Sequence, residues 1–211
     1  MKTKNLFISS VFMIIGTISY VNAQSAAFHD PISFKLKNGM NIIIAENTGT
    51  PKVYSNFSIE NAEAWKSAPI EELLLTEMLN KTATESQAGI SFSEKGGNLA
   101  TSIAGFENSL ELLSATVKNA NLGIELFSMA KSTLKESLKK HLKYYSDNVN
   151  ESTIETVSLN DVREFYAHYY QPSKATLTIA GNITPAEAKI LVKKAFGSWK
   201  ENQETNSTIS R

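Results

Sequence analysis

The sequence predicts an α+β domain on three observations. An Asn-Gly turn joins two apolar-rich runs near the start of the ordered region, and a third alternating run follows it. Several segments in the middle carry apolar residues at three- and four-residue steps. A closing helix–strand–helix unit, Ser158 to Trp199, has signals at almost every boundary.

Taken in order, Ile32 to Leu36 and Asn41 to Ala45 flank Asn38-Gly39, the strongest short-range hairpin signal. Val53 to Ile59 alternates and reads as a third strand. Ala68 to Thr82 reads as a helix, with Ile70, Leu73, Leu74, Glu77 and Met78 in step and Pro69 in its first turn. Ile90 to Ser93 and Leu99 to Ala104 are short strand candidates on either side of Gly96-Gly97, which reads as a turn. Asn108 and Glu111 have the spacing of a capping box, opening a helix with Leu110, Leu113 and Val117 on one face. After a break at Asn121-Leu122-Gly123, a longer helix is expected to about Lys143. Its buried stripe is Ile124, Phe127, Leu134 and Leu138, and its lysine-rich side reads as a solvated surface. Tyr144 to Val157 is polar and reads as loop.

In the closing unit Ser158 and Asp161 have capping spacing, and Leu159, Val162, Phe165, Tyr166 and Tyr169 form an apolar stripe. Pro172 stops that helix. Ala175 to Ala180 alternates as a half-buried strand, and Gly181-Asn182 turns the chain. Thr184-Pro185-Ala186-Glu187 is a capping box with proline at the first helical position, and Gly197 ends the last helix.

The composition narrows the function. The chain has 211 residues, 21 basic against 21 acidic, three histidines and no cysteine. Disulfides and thiolate metal sites are therefore excluded, and no basic excess points to nucleic acid. The N-terminus reads as a secretory signal (residues 1–23): Lys2 and Lys4, an apolar region from Leu6 to Tyr20, then Val21-Asn22-Ala23 before Gln24. Cleavage there would leave a slightly acidic, soluble chain, secreted or periplasmic, with one domain over 24–200. The polar stretch 201–211 is expected to be a disordered tail.

The words "VREFYAHYYQPSKATLTIAGNITPAEAKILVKKAFGSWK" resemble the closing pattern of the pitrilysin/insulinase family of zinc metallopeptidases. "FKLKNGMNIIIAENTGTPKVYSNFSI" looks like that family's opening hairpin and next strand. "GFENSLELLSATVKNANLGIELFSMAKSTLKESLKK" looks like its central helix pair. The resemblance implies a mainly antiparallel sheet with helices packed on one face, an insulinase-like metallopeptidase domain. It also leads one to expect a further helix and connecting loop before Ser158, so the domain looks trimmed.

The family's catalytic halves hold zinc with H-x-x-E-H on the first helix. Two histidines four apart share a helical face and present neutral nitrogens to the metal, and the glutamate takes a proton from bound water. Aligned on the Met-Leu that follows the motif in the family, the two histidines fall on Leu73 and Glu77 and the general base on Thr76. The downstream glutamate ligand falls near Ala130. His29, His141 and His168 are the only histidines, and none stands four residues from another. No cofactor or metal is therefore expected. Glu71, Glu72 and Glu77 read as a solvated acidic face near a helix N-terminus, favoured there by the helix dipole. His168 reads as a structural side chain and Tyr169 and Tyr170 as packing residues. The family's silent halves supply an arginine and a tyrosine that help hold substrate. The only arginine before Arg211 is Arg163, in the "DVREFY" helix, away from their place.

These observations lead to a non-catalytic insulinase-like domain acting as partner or scaffold of a zinc-bearing relative, or associating with itself. The competing expectations are a stand-alone module that captures peptide at a sheet edge, an active metallopeptidase with other ligands, and a purely structural relic.

Overall fold

The computed structural model describes residues 30–60, 67–84, 89–93, 96–140 and 145–201. The signal expected over 1–23, His29, His141 and the tail from 202 onward lie outside the described residues. Six strands form one sheet: β1 (Ile32–Lys35), β2 (Asn41–Glu46), β3 (Lys52–Ile59), β4 (Ile90–Ser93), β5 (Gly96–Ser102) and β6 (Ala175–Gly181). The helices are α1 (Pro69–Thr84), α2 (Phe106–Lys118), α3 (Ile124–Lys139), α4 (Glu151–Thr156), α5 (Leu159–Tyr169) and α6 (Pro185–Phe196). None of the described helices is long and apolar enough to cross a membrane.

The strand order is β1-β2-β6-β3-β5-β4. Four pairings are antiparallel and one, β2 with β6, is parallel, so the sheet is mixed. The reason is geometric. Strands β2 and β3 run in opposite directions through the short connection 47–51. A strand inserted between them must be parallel to one and antiparallel to the other. Strand β6, arriving from the far end of the chain, is that insert.

The strands turn most of their larger apolar residues to one side, with Ile43 of β2 on the other. Ile42 and Ile44 of β2, Val53 and Phe57 of β3, and Leu177 and Ile179 of β6 are all fully buried. The helices cover this side. Helix α1 packs on β4, α3 and α5; α2 packs on β5 and α6; α6 reaches β2. Phe57 sits at the centre, 6.2 Å from the stacked ring of Phe196, 6.1 Å from Trp199 and 6.4 Å from Tyr170. Burying such rings contributes roughly 1.5–3 kcal/mol each. The hairpin turn is tied into this cluster. Asn38 donates from Nδ2 to the carbonyls of Phe196 (2.9 Å) and Trp199 (3.0 Å), while Gly39 takes φ 91°.

The closing unit folds as its sequence reads. Ser158 and Asp161 form a capping box on α5, Thr184 and Glu187 form one on α6, and Pro185 occupies the first turn of α6. Four expectations are corrected. Gly96-Gly97 is not a turn but the start of β5. At Gly96 (φ 129°) a Cβ would lie 1.9 Å from the Phe57 carbonyl oxygen, and at Gly97 it would lie 2.8 Å from the Phe92 ring. The glycines are there to let backbone and ring approach. Asn108 does not cap a helix; α2 starts two residues earlier, at buried Phe106, after a 3-10 turn capped by Ser102. Ile124 is 63% exposed, and fully buried Ala130 joins Phe127 and Leu134 in the stripe of α3 instead. The stretch read as loop contains α4. Its capping box pairs Asn150 with Thr153, a threonine where glutamate or glutamine is the usual signal.

Gly96→Ala is expected to destabilise the domain by about 1–3 kcal/mol, since it adds both a left-handed strain and a backbone clash. Ser158→Ala is expected to cost about 1 kcal/mol through the lost cap. Urea unfolding midpoints at constant slope check both.

Candidate functional site

With the described helices on one side, the other side of the sheet carries none of them. Its residues follow from strand alternation and register. One row crosses the whole sheet: Ser33, Ile43, Thr178, Asn56, Asn98 and Ser91. Asn56 donates from Nδ2 to Asn98 Oδ1 at 2.9 Å, joining two neighbouring strands on the surface. A second row runs Ala45, Ala180, Tyr54, Ala100. Tyr54 is 47% exposed, and the alanines on either side leave its ring standing proud. Around it, Asn56, Asn98, Ala100, Thr178 and Ala180 line a shallow hollow of about 270 Å³.

This face is built of amides, hydroxyls, methyl groups and one phenol, with Lys35 and Lys52 at its margins. Among the described residues it offers no nucleophile–base pair and no clustered carboxylates. It can donate and accept hydrogen bonds across a flat area, with one aromatic side chain as an anchor. That is the chemistry of a contact surface.

The positions where the family's zinc chemistry would fall lie on the opposite side of the sheet. Leu73 and Ala130 are core residues, Thr76 is buried and Glu77 half-buried. Helix α1 is buried nearly all round, as a helix packed among other elements on several sides must be. Among the described residues no group of three or more His, Asp or Glu side chains could hold a metal ion.

The same burial corrects the reading of the acidic residues. Glu72 is only 6% exposed and belongs to the interior, not to a solvated face. The tertiary fold brings it to Tyr170, from the end of α5. Burial, chiefly, and then the charge of Glu72 and the neighbouring Tyr166 push the Tyr170 phenol far above its usual range. Tyr166, 5.4 Å from Tyr170 ring to ring, donates from its hydroxyl to the Val117 carbonyl at 2.9 Å. The Glu72–Tyr170 relation had no local signal, because its partners come from opposite ends of the chain. Tyr169 packs on Phe165 at 4.7 Å, and His168, exposed, sets its ring edge against Tyr169 at 4.6 Å. Arg163 donates to the Leu122 carbonyl at 2.9 Å and so ties α5 to the loop before α3.

A mixed sheet covered by helices on one face, closed by a capped helix–strand–helix, is the architecture of the insulinase-type peptidase domains. Residues 156–210 match the family described as "Peptidase M16 inactive domain". A protease from Helicobacter pylori has the same fold, with 20% identity and a TM-score of 0.68 over 84% of this chain and 52% of that one. The periplasmic protease PqqL from Escherichia coli is similar at 15% identity and TM-score 0.66, over 85% of this chain and 25% of that one. The peptidase M16 inactive domain from Pseudomonas fluorescens is similar at 12% identity and TM-score 0.67, over 82% of this chain and 52% of that one. The chain thus spans a quarter to about half the length of these structures. No curated protein matches it in sequence. The resemblance to an insulinase-family inactive domain holds in both the closing segment and the fold.

The buried phenol has a consequence for alkaline stability. Below about pH 10 Tyr170 is protonated in both folded and unfolded chains. Above it the unfolded chain loses the proton and the folded one keeps it, so the unfolded state binds fewer protons and stability falls as pH rises. Tyr170→Phe is expected to flatten the stability profile above about pH 10, read by urea titration at each pH.

Proposed function

We propose that this chain is a non-catalytic insulinase-like domain that serves as a partner or scaffold subunit, with the open sheet face as its contact surface. The observation that carries this reading is the division of the molecule into two sides. The positions that correspond to zinc ligands and general base in the catalytic halves are spent on packing: Leu73, Thr76 and Ala130 lie inside. The exposed side is a flat, weakly polar sheet with Tyr54 at its centre. The match of the closing segment to an inactive-domain family supports the same conclusion.

The chain spans about half of the Helicobacter pylori protease. A second domain of similar size would supply the remainder of such an arrangement. The proposed partner is a zinc-bearing insulinase-like subunit, with self-association as the homotypic variant. The N-terminal signal read from the sequence supports a location outside the cytoplasm for this chain, in the periplasm or beyond.

A second reading has its own observation. Strand β4 forms one edge of the sheet and is only four residues long. A peptide could add there as a further strand, its backbone supplying the hydrogen bonds. The isolated protein would then bind extended peptides at about micromolar Kd without any partner.

Tagged protein recovered gently from its own cells is expected to bring a chain carrying H-x-x-E-H in stoichiometric amount, or a second copy of itself. Recovery as a lone monomer would overturn the partner reading, and stoichiometric zinc with chelator-sensitive proteolysis would overturn the non-catalytic one. Tyr54→Asp is expected to weaken co-recovery by about tenfold or more, as loss of an aromatic anchor does. Its urea midpoint should stay within about 0.5 kcal/mol of the parent, because the ring is half exposed.

A further inference from the structure

Strand β4 stands at one edge of the sheet, and part of its outward side is already bonded. Its pairing with β5 alternates. Ala100 donates to the Gly89 carbonyl, so Gly89, Ser91 and Ser93 turn their main-chain groups toward β5. Ile90 and Phe92 turn theirs away from it. At Phe92 one side chain takes both groups. Asn80 of α1 donates from Nδ2 to the Phe92 carbonyl at 2.9 Å and accepts from the Phe92 N–H with Oδ1 at 2.7 Å. A side-chain amide carries the same donor and acceptor as a peptide unit. Asn80 therefore makes the pair of bonds that a residue of a further strand would make. Helix α1 packs on β4, and Asn80 is half-buried there.

The opposite edge is blunted by other means. Leu36 donates to the Met40 carbonyl, so by the same alternation Ser33 and Lys35 of β1 face outward. Pro31, next in that row, has no N–H to give. Strand β4, Ile90–Ser93, contains neither proline nor charge. Two copies can meet there edge to edge with their helix sides matched. Ile90 then stands opposite Phe92 of the second copy, and Ser91 opposite its own equivalent. Within the four residues of β4, every main-chain bond across that pairing uses the N–H or the C=O of a Phe92. One amide in each chain is enough to block them all.

We propose that Asn80 keeps the β4 edge closed to strand addition. The occupant it excludes is the β4 strand of a second copy of this chain, which would otherwise continue the sheet from one molecule into the next. An extended peptide adding at β4 must displace the same amide, so Asn80 also sets how strongly a peptide can bind at this edge.

With Tyr54→Asp in every chain, association through the sheet face does not enter, and the outcome is independent of whether that face binds a partner. Sedimentation over a range of concentrations then reads the edge. Adding Asn80→Ala to Tyr54→Asp is expected to tighten self-association by about tenfold or more in Kd. Adding Ser91→Lys as well is expected to undo this, because it sets two like charges directly opposite each other. Asn80→Ser keeps a polar group at the position but is too short to make both bonds, and is expected to act as Asn80→Ala does. Unchanged self-association in both Asn80 variants, or a gain that Ser91→Lys leaves intact, would overturn the proposal. Loss of the urea transition in both would overturn it too, since Asn80 would then be a tie that the fold requires and not a guard of its edge.

Discussion

The whole sheet depends on the insertion of β6 between β2 and β3. It is hydrogen-bonded along its length on both sides, parallel to 41–46 and antiparallel to 53–59. Without it the sheet is two separate pieces, the β1-β2 hairpin, which is marginal alone in water, and the β3-β5-β4 unit. The pairing joins residues that are far apart in sequence, so its formation must pay the entropy of closing a long loop before the contacts reward it. The capped helices on either side of β6 make this insertion specific. Helix α5 delivers the strand at Pro172–Lys174, and α6 then folds back so that Phe196 and Trp199 cover Phe57.

That insertion also decides where function can reside. Helix α1, held among β4, α3 and α5, has little side left for water. A helix in that position can host a metal only by giving up core contacts, and here it keeps them. Leucine and threonine stand at two of the positions, and the opposing helix presents Ala130. The two sides of the one sheet thereby differ in chemistry. The helix side carries the aromatic cluster, the caps and the buried Glu72–Tyr170 neighbours. The open side carries small polar residues that cost little to expose and one aromatic ring that gains by being covered.

The solved structures with this fold are two to four times as long as the share this chain occupies. The described residues share one hydrophobic core. The surfaces around it, a flat polar sheet and an apolar groove at the end of α6, are chemically distinct.

By itself the sequence determined what is local. The hairpin at Asn38-Gly39, the capping boxes at Ser158 and Thr184, Pro185 in the first turn of α6 and the alternation of β3 and β6 all stand in the structure where the residues place them. Each of those signals acts within a few residues, through side-chain hydrogen bonds or fixed backbone angles. The tertiary structure alone decided the features whose partners are distant. Gly96-Gly97 carries the same glycines a turn would, and only the approach of Phe57 and Phe92 makes it a strand. The acidic run of α1 reads as surface until Tyr170 and the surrounding elements close over Glu72. Ile124 keeps helical step with the stripe of α3, yet nothing packs deeply on it, while Ala130 is small enough for another element to come close. The parallel pairing of β2 with β6 has no local signature at all, because direction in a sheet is set by the path of the chain between strands.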